Sequence, residues 1–403
     1  MRRPVQSAIA ALIAIVLTIS AHPGAQTATR NATTIPFELA TRHVMVKVTI
    51  GQSRPLSFIL DTGADVAIVR MDVARELGLT LEGTVGIGGA GAGTQTGQFV
   101  RKASWSLVGL RGFSQPLVLA IPLMELSSAM GRPIDGIIGG QFIRQFVVEL
   151  DYQTRQLTLH DRKSFKYEGT GETVPIELYQ GHPIVSAAVA PVDRAPVTRK
   201  FMLDIGSGGA LILHSPFARE QNLPDPAMIT VPVIGSAGAG GRTTGRIGRV
   251  ASLQIGSFTL DHPITMFSED KAGAFANPLF AGNIGAQIAN RFRLFFDYER
   301  LQLILEPSVK FKDPFDRAFS GLALRAAAPE YRVIRVHELM ENSPATEAGI
   351  EVGDVITAVN GRPASELTLS AIIEMLELPV TCQLTIERGP DVIKTTLTPR
   401  RII

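Results

Sequence analysis

The sequence predicts a mainly β protein made of two homologous β-barrel lobes and a smaller α+β domain at the C-terminus. Three observations carry that expectation: five landmarks that recur in the same order, short apolar runs divided by 38 glycines and 25 prolines, and a change of pattern after Pro307. At 403 residues, 45% of them apolar, the chain has material for two or three cores. Lys and Arg total 39 against 37 Asp and Glu, a balance that argues against nucleic acid as a partner. One cysteine, Cys382, excludes an intramolecular disulfide, and seven scattered histidines form no zinc-binding spacing. No metal and no cofactor are expected.

The chain starts with Met1-Arg2-Arg3, an apolar stretch from Ala8 to Ile19, and the turn-forming Ser20-Ala21-His22-Pro23-Gly24-Ala25. A charged start, a short apolar run and small residues describe a cleaved signal peptide, assigned to residues 1–27. A spanning helix needs about 20 apolar residues, more than this stretch supplies. The expectation is an exported protein, periplasmic or secreted, with no stable membrane insertion after cleavage.

The duplication sets the domain plan. Thr34-Ile35-Pro36-Phe37-Glu38-Leu39 returns as Thr173-Val174-Pro175-Ile176-Glu177-Leu178, and Phe58-Ile59-Leu60-Asp61-Thr62-Gly63-Ala64 as Phe201-Met202-Leu203-Asp204-Ile205-Gly206-Ser207. Gly88–Gly93 returns as Gly235–Gly240, Ile138-Gly139-Gly140-Gln141 as Ile284-Gly285-Ala286-Gln287, and Asp151-Tyr152 as Asp297-Tyr298. The lobes are placed at residues 34–165 and 173–307, and the last domain at 316–403. Alternation over Val44–Ile50 and Leu56–Leu60 predicts a hairpin, matched by Ile184–Val189 and Lys200–Leu203. Short helices are expected at Asp72–Leu77, Gln141–Phe146 and Gln287–Arg291.

Asp61 sits between two apolar runs, Phe58–Leu60 and Val66–Val69, where a carboxylate is costly unless hydrogen-bonded. Gly63 lets backbone N–H groups approach it. An Asx-type turn at a strand end would explain a single Asp-Thr-Gly equally well. Its return as Asp204-Ile205-Gly206 changes the balance, because two lobes packed about a pseudo-twofold axis bring two equivalent loops face to face. Two carboxylates about 3 Å apart share one proton, which supplies an acid and a base together. Such a pair can activate a water for attack on a peptide carbonyl without a covalent intermediate.

Phe58-Ile59-Leu60-Asp61-Thr62-Gly63-Ala64-Asp65 resembles the active-site motif of retropepsin-like aspartic proteases, and Ile137-Ile138-Gly139 and Asn283-Ile284-Gly285 resemble the hydrophobic-hydrophobic-Gly element behind that loop. The resemblance implies a bilobal acid-protease fold with both lobes in one chain, a catalytic pair Asp61 and Asp204, and support of that pair by Thr62, Gly63, Gly206 and Ser207. Two departures stand out. Ile205 occupies a place where the family carries Thr or Ser, which removes half of an interlocking hydroxyl network. Asp65 matches a position that contacts substrate backbone, but the arginine that accompanies it in the family is replaced by Gly140-Gln141.

Gly86-Ile87-Gly88-Gly89-Ala90-Gly91 formally fits a dinucleotide-binding fingerprint, yet a polar, strand-like segment follows where that motif needs a helix. The protease reading makes these stretches mobile flaps over a bound peptide, with Gly88, Gly89, Gly91, Gly235 and Gly238 facing substrate. Flexible surface loops are the plain alternative.

After the linker Lys310–Pro314, Ser343-Pro344-Ala345, Ala348-Gly349-Ile350, Gly353-Asp354-Val355-Ile356 and Val359-Asn360-Gly361 resemble a bacterial PDZ domain. Ser343 with Pro344 starts a helix, and Asn360-Gly361 makes a tight hairpin turn. The resemblance implies that a peptide adds as a strand beside Tyr331–Val336 against a helix at Leu369–Leu376, with Tyr331, Val333 and Ile373 lining the groove. Leu369, Ile373 and Leu376 read equally well as core at helical spacing. The combined expectation is an exported aspartic endopeptidase with protein or peptide substrates and a peptide-binding module. Two rivals stand beside it: a protease-like scaffold that grips peptides without cleaving them, and an enzyme that pairs first lobes from two chains.

Overall fold

The alternating apolar residues of the first lobe fold into the expected hairpin, with Val44 opposite Leu60 and Val48 opposite Leu56. The computed structural model describes residues 32–101, 103–107 and 109–403; the expected signal peptide lies outside them. Among the described residues no helix is long and apolar enough to cross a membrane.

Across the first lobe the strand order is Leu81–Ile87, Gln95–Val100, Val118–Ile121, Ala67–Arg70, Gly136–Ile138, Leu56–Leu60, His43–Ile50, Trp105–Leu107, Leu110–Phe113. The second lobe runs Val231–Pro232, Gly245–Arg249, Ile264–Ser268, Leu211–Leu213, Gly282–Ile284, Val197–Leu203, His182–Ala190, Ser252–Ile255, Phe258–Asp261. The two orders correspond strand for strand, so the repeated sequence encodes a repeated topology. The short helices form at Met71–Glu76, Gly140–Ile143 and Ala286–Ala289. The last two are shorter than expected because the strands Val147–Asp151 and Phe292–Asp297 begin within a few residues.

A six-stranded antiparallel sheet joins the lobes in the order Ala32–Pro36, Gln156–His160, Val147–Asp151, Phe292–Asp297, Gln302–Pro307, Glu172–Tyr179. At its centre Val148 pairs with Phe296, Glu149 with Phe295 and Leu150 with Leu294. Counting back from the equivalent Asp151 and Asp297, exchange of the lobes maps Val148–Phe296 onto Leu294–Leu150 and leaves Glu149 facing its own counterpart. The pseudo-twofold axis passes through that pair. One core runs through both lobes, with Phe58, Phe142, Phe201, Phe292 and Phe296 fully buried.

The C-terminal domain has its own core. Ser343 caps the helix Pro344–Glu347 in a reciprocal capping box with Thr346. Asn360 and Gly361 both take positive φ, as their turn requires. Its sheet order is Leu322–Ala327, Val333–Leu339, Val355–Val359, Cys382–Arg388, Asp391–Leu397. This corrects the expected groove. Val333–Leu339 is hydrogen-bonded on both sides and has no free edge for a peptide. Tyr331 is buried in the core rather than lining a groove, and Val333 lies on the inner strand. The edge strand beside the helix Leu369–Leu376 is Leu322–Ala327. On that helix Leu369, Ile372 and Leu376 are core, and Ile373 is half-buried.

Candidate active site

Each Asp-containing loop is held by the same backbone bonds. Asp61 N–H donates to Ile138 O (2.9 Å) and Gly140 N–H to Ala64 O (2.8 Å); Asp204 N–H donates to Ile284 O and Ala286 N–H to Ser207 O, both at 2.8 Å. Ser207 thus supports its loop through its backbone. The strands Gly136–Ile138 and Gly282–Ile284 run parallel to the strands leading into the loops, which delivers both aspartates to the seam.

The Asp61 and Asp204 carboxyls lie close enough for each to act on the other's ionisation. A Cβ on Gly63 would stand 2.5 Å from Asp204 Oδ1, and one on Gly206 would overlap the Asp61 carboxyl. Both positions need glycine because each carboxyl lies against the opposite loop. Gly63 N–H donates to Asp61 Oδ1 at 2.7 Å. Asn283 Nδ2–H donates to Asp204 Oδ2 at 2.7 Å. Enclosure by protein, reinforced by the Asp204 charge, pushes Asp61 far above the usual carboxylate range. Enclosure also raises Asp204, against the opposing effect of hydrogen bonds from Asn283 and Asp61. Two enclosed carboxyls this close do not both ionise near neutrality, so the pair shares one proton.

Thr62 crosses the seam: its hydroxyl donates to Leu203 O (2.6 Å) and accepts from Ile205 N–H (3.0 Å). Ile205 is fully buried and has no hydroxyl to return these bonds. His182 touches the first-lobe loop instead, with Nδ1 3.2 Å from Thr62 O. His43, its equivalent, faces the second-lobe loop: its ring lies beside Gly208, its Nδ1 stands 3.3 Å from Ala40 O, and burial lowers its pKa. These two histidines escaped the sequence reading. The available signal was their shared offset of 139 residues, the same as from Glu38 to Glu177.

Asp65 forms an ion pair with Arg144 (2.7 Å) next to Gly181 of the second lobe. The arginine expected just after Gly139 is thus supplied from the end of the next helix, where one turn returns it to Asp65.

The glycine-rich hairpins of the two lobes meet each other. Gly93 N–H donates to Gly240 O and Gly240 N–H to Ala90 O, both at 2.7 Å, and Ala274 N–H donates to Gly89 O at 2.9 Å. A Cβ on Gly89 would lie 2.8 Å from Ala239 Cβ, one on Gly238 2.6 Å from Ala90 Cβ, and one on Gly91 2.5 Å from Gly241 O. The tips interlock because Gly89, Gly91 and Gly238 carry no side chain. Gly88 has open space around it, and Gly235 packs on Ala323 of the C-terminal domain rather than over the cleft.

That domain grips both lobes. Ser128 Oγ, on the first-lobe helix Met124–Met130, donates to Ala326 O of the edge strand at 2.8 Å. Gly131 packs on Leu369. Arg325 Nη2 donates to Gly235 O at 2.8 Å, while Glu338 accepts from Gly235 N–H and pairs with Arg242.

Residues 46–142 match the aspartyl protease family model and residues 335–388 the PDZ domain model. The crystal structure of aspartic proteinase from Irpex lacteus is similar at a TM-score of 0.45 with 12% identity, covering 71% of this chain and 100% of that one. No curated protein matches the chain. The chain is aspartic-protease-like in its mostly β lobes and carries a PDZ domain at its C-terminus.

Proposed function

We propose that the protein is an exported aspartic endopeptidase in which Asp61 and Asp204 hydrolyse peptide bonds. The observation that supports this reading is the pair of carboxyls on two equivalent loops, each lying against the glycine of the opposite loop. The ionised Asp204 takes a proton from a bound water as its oxygen attacks the carbonyl carbon. Protonated Asp61 gives its proton to the carbonyl oxygen, and a gem-diol forms. Collapse of the gem-diol returns a hydroxyl proton to Asp61 while Asp204 gives its proton to the departing amine, and no covalent enzyme intermediate arises. Closed flaps exclude bulk water and offer backbone groups to an extended substrate. Export to the periplasm or beyond rests on the charged start and short apolar run of residues 1–27.

The test is cleavage of an unfolded protein by the purified chain across pH. Activity requires one ionised and one protonated carboxyl, so the profile is bell-shaped, peaks on the acid side, and falls as pH rises through the raised Asp61 ionisation. Asp61→Asn reduces the rate by at least about a hundredfold, the usual scale for a general acid or base. Full activity in that variant rejects the reading.

The PDZ domain's role in this reading is to bind peptide segments along the edge strand Leu322–Ala327, beside Ile373. The helix Met124–Met130 covers that edge, so a peptide binds only as the helix moves aside. Ser128→Ala, which removes a bond to the edge, tightens binding of an extended peptide measured by calorimetry. Unchanged or weaker affinity counts against an edge covered by this helix.

A further inference from the structure

Among the described residues, the hydrogen-bond chain behind Asp204 has no counterpart behind Asp61. Asn283 occupies the place of Ile137, and His214 that of Arg70, as the matching strand registers show. Asn283 Nδ2–H donates to Asp204 Oδ2 (2.7 Å), and its Oδ1 lies 2.9 Å from His214 Nε2. His214 Nδ1 stands 3.2 Å from Asn277 O. Both residues are buried, Asn283 at 5% and His214 at 2% exposure, with Phe275 against the imidazole. An amide that donates to a carboxylate must present its oxygen to the other side. His214 therefore carries its proton on Nε2 and donates it to Asn283 Oδ1, the shorter of its two contacts. The chain runs in one direction, from imidazole N–H to amide to carboxylate.

We propose that Asn283, oriented by His214, makes two equivalent aspartates unequal, holding Asp204 as the ionised base and leaving the shared proton on Asp61. Both are positioning residues, since His214 acts through Asn283 and Asn283 acts on Asp204. Ile137 offers Asp61 no such donor. The other titratable groups around the pair are His43 and His182 from the two turns at the seam, with Tyr298 and the Asp65–Arg144 pair beyond Asp61. Asp204 is the charge that His214 faces. The proposal rests on the aspartic protease reading.

The experiment compares the full chain with Asn283→Ile, which installs the first-lobe residue, and with His214→Phe. Two readouts are used: ¹³C carboxyl titration of labelled aspartates, and the acid limb of kcat/KM. Removing a donor to the ionised form raises its pKa, so Asn283→Ile moves the first carboxyl ionisation and the acid limb upward by about one pH unit. His214→Phe shifts both the same way by less, and adds nothing in the Asn283→Ile background. A folded Asn283→Ile protein with an unmoved carboxyl titration overturns the proposal. So does a His214→Phe shift that survives without Asn283. If the wild-type chain cleaves nothing, the protease reading fails while the carboxyl titration still decides the proposal. Should Asn283→Ile not fold, the titration of His214→Phe decides alone, and no shift there overturns it.

Discussion

The two lobes repeat one another strand for strand, and their differences gather where they meet. Thr62 reaches across the seam while Ile205 fills it; Glu149 faces Phe295 across the axis; Asp65 with Arg144 stands where the second lobe has Gly208 and Asn290. Behind the loops, lobe 1 buries Asp135 between Arg54 and Arg70, directed away from the carboxyl pair, whereas lobe 2 buries Asn283 and His214, directed at it. Duplication alone produces two identical acids. Two identical acids side by side can share one proton, and here residues just behind the loops make their surroundings unequal.

The comparison is most sharply tested at the axis. Burial opposes ionisation of Glu149, but hydrogen bonds from His160 and Arg293 outweigh it and hold its carboxyl below the ordinary range. Glu149→Ala leaves Arg293 without that partner and costs about 3 kcal/mol of unfolding free energy by urea titration, at the lower end for a buried pair because Arg293 is 43% exposed. A carboxylate with a depressed folded pKa contributes stability above its unfolded value. The wild-type advantage over Glu149→Ala is therefore present near neutrality and is lost as pH falls through the folded pKa. A pH-independent difference contradicts this account.

The flaps give a smaller effect. A Cβ at position 240 would overlap Gly91 O, so Gly240→Ala separates the tips and lowers kcat/KM by about tenfold, roughly 1.4 kcal/mol of transition-state stabilisation. Unaltered kinetics place the interlock outside the reaction. Ile205→Thr has the smallest effect. It restores the missing hydroxyl toward Leu60 but gives up apolar contact, so stability changes by about 1 kcal/mol or less. Activity that arises only in this variant, with the wild type inert, favours the peptide-gripping scaffold.

The sequence by itself determined the duplicated plan, the placement of Asp61 and Asp204 on equivalent loops, and the C-terminal domain, because periodicity, turn residues and repeated motifs are local signals. Asn283 was visible as the one polar residue in a hydrophobic-hydrophobic-Gly element, but its meaning depends on His214, 69 residues away. Arg144 was hidden because a single helical turn, rather than sequence adjacency, returns it to Asp65. Only the tertiary structure decided which strand of the PDZ domain is the edge and what covers it. A strand's neighbours come from long-range pairing, and a covered edge comes from docking between domains, and neither leaves a periodic trace in the chain.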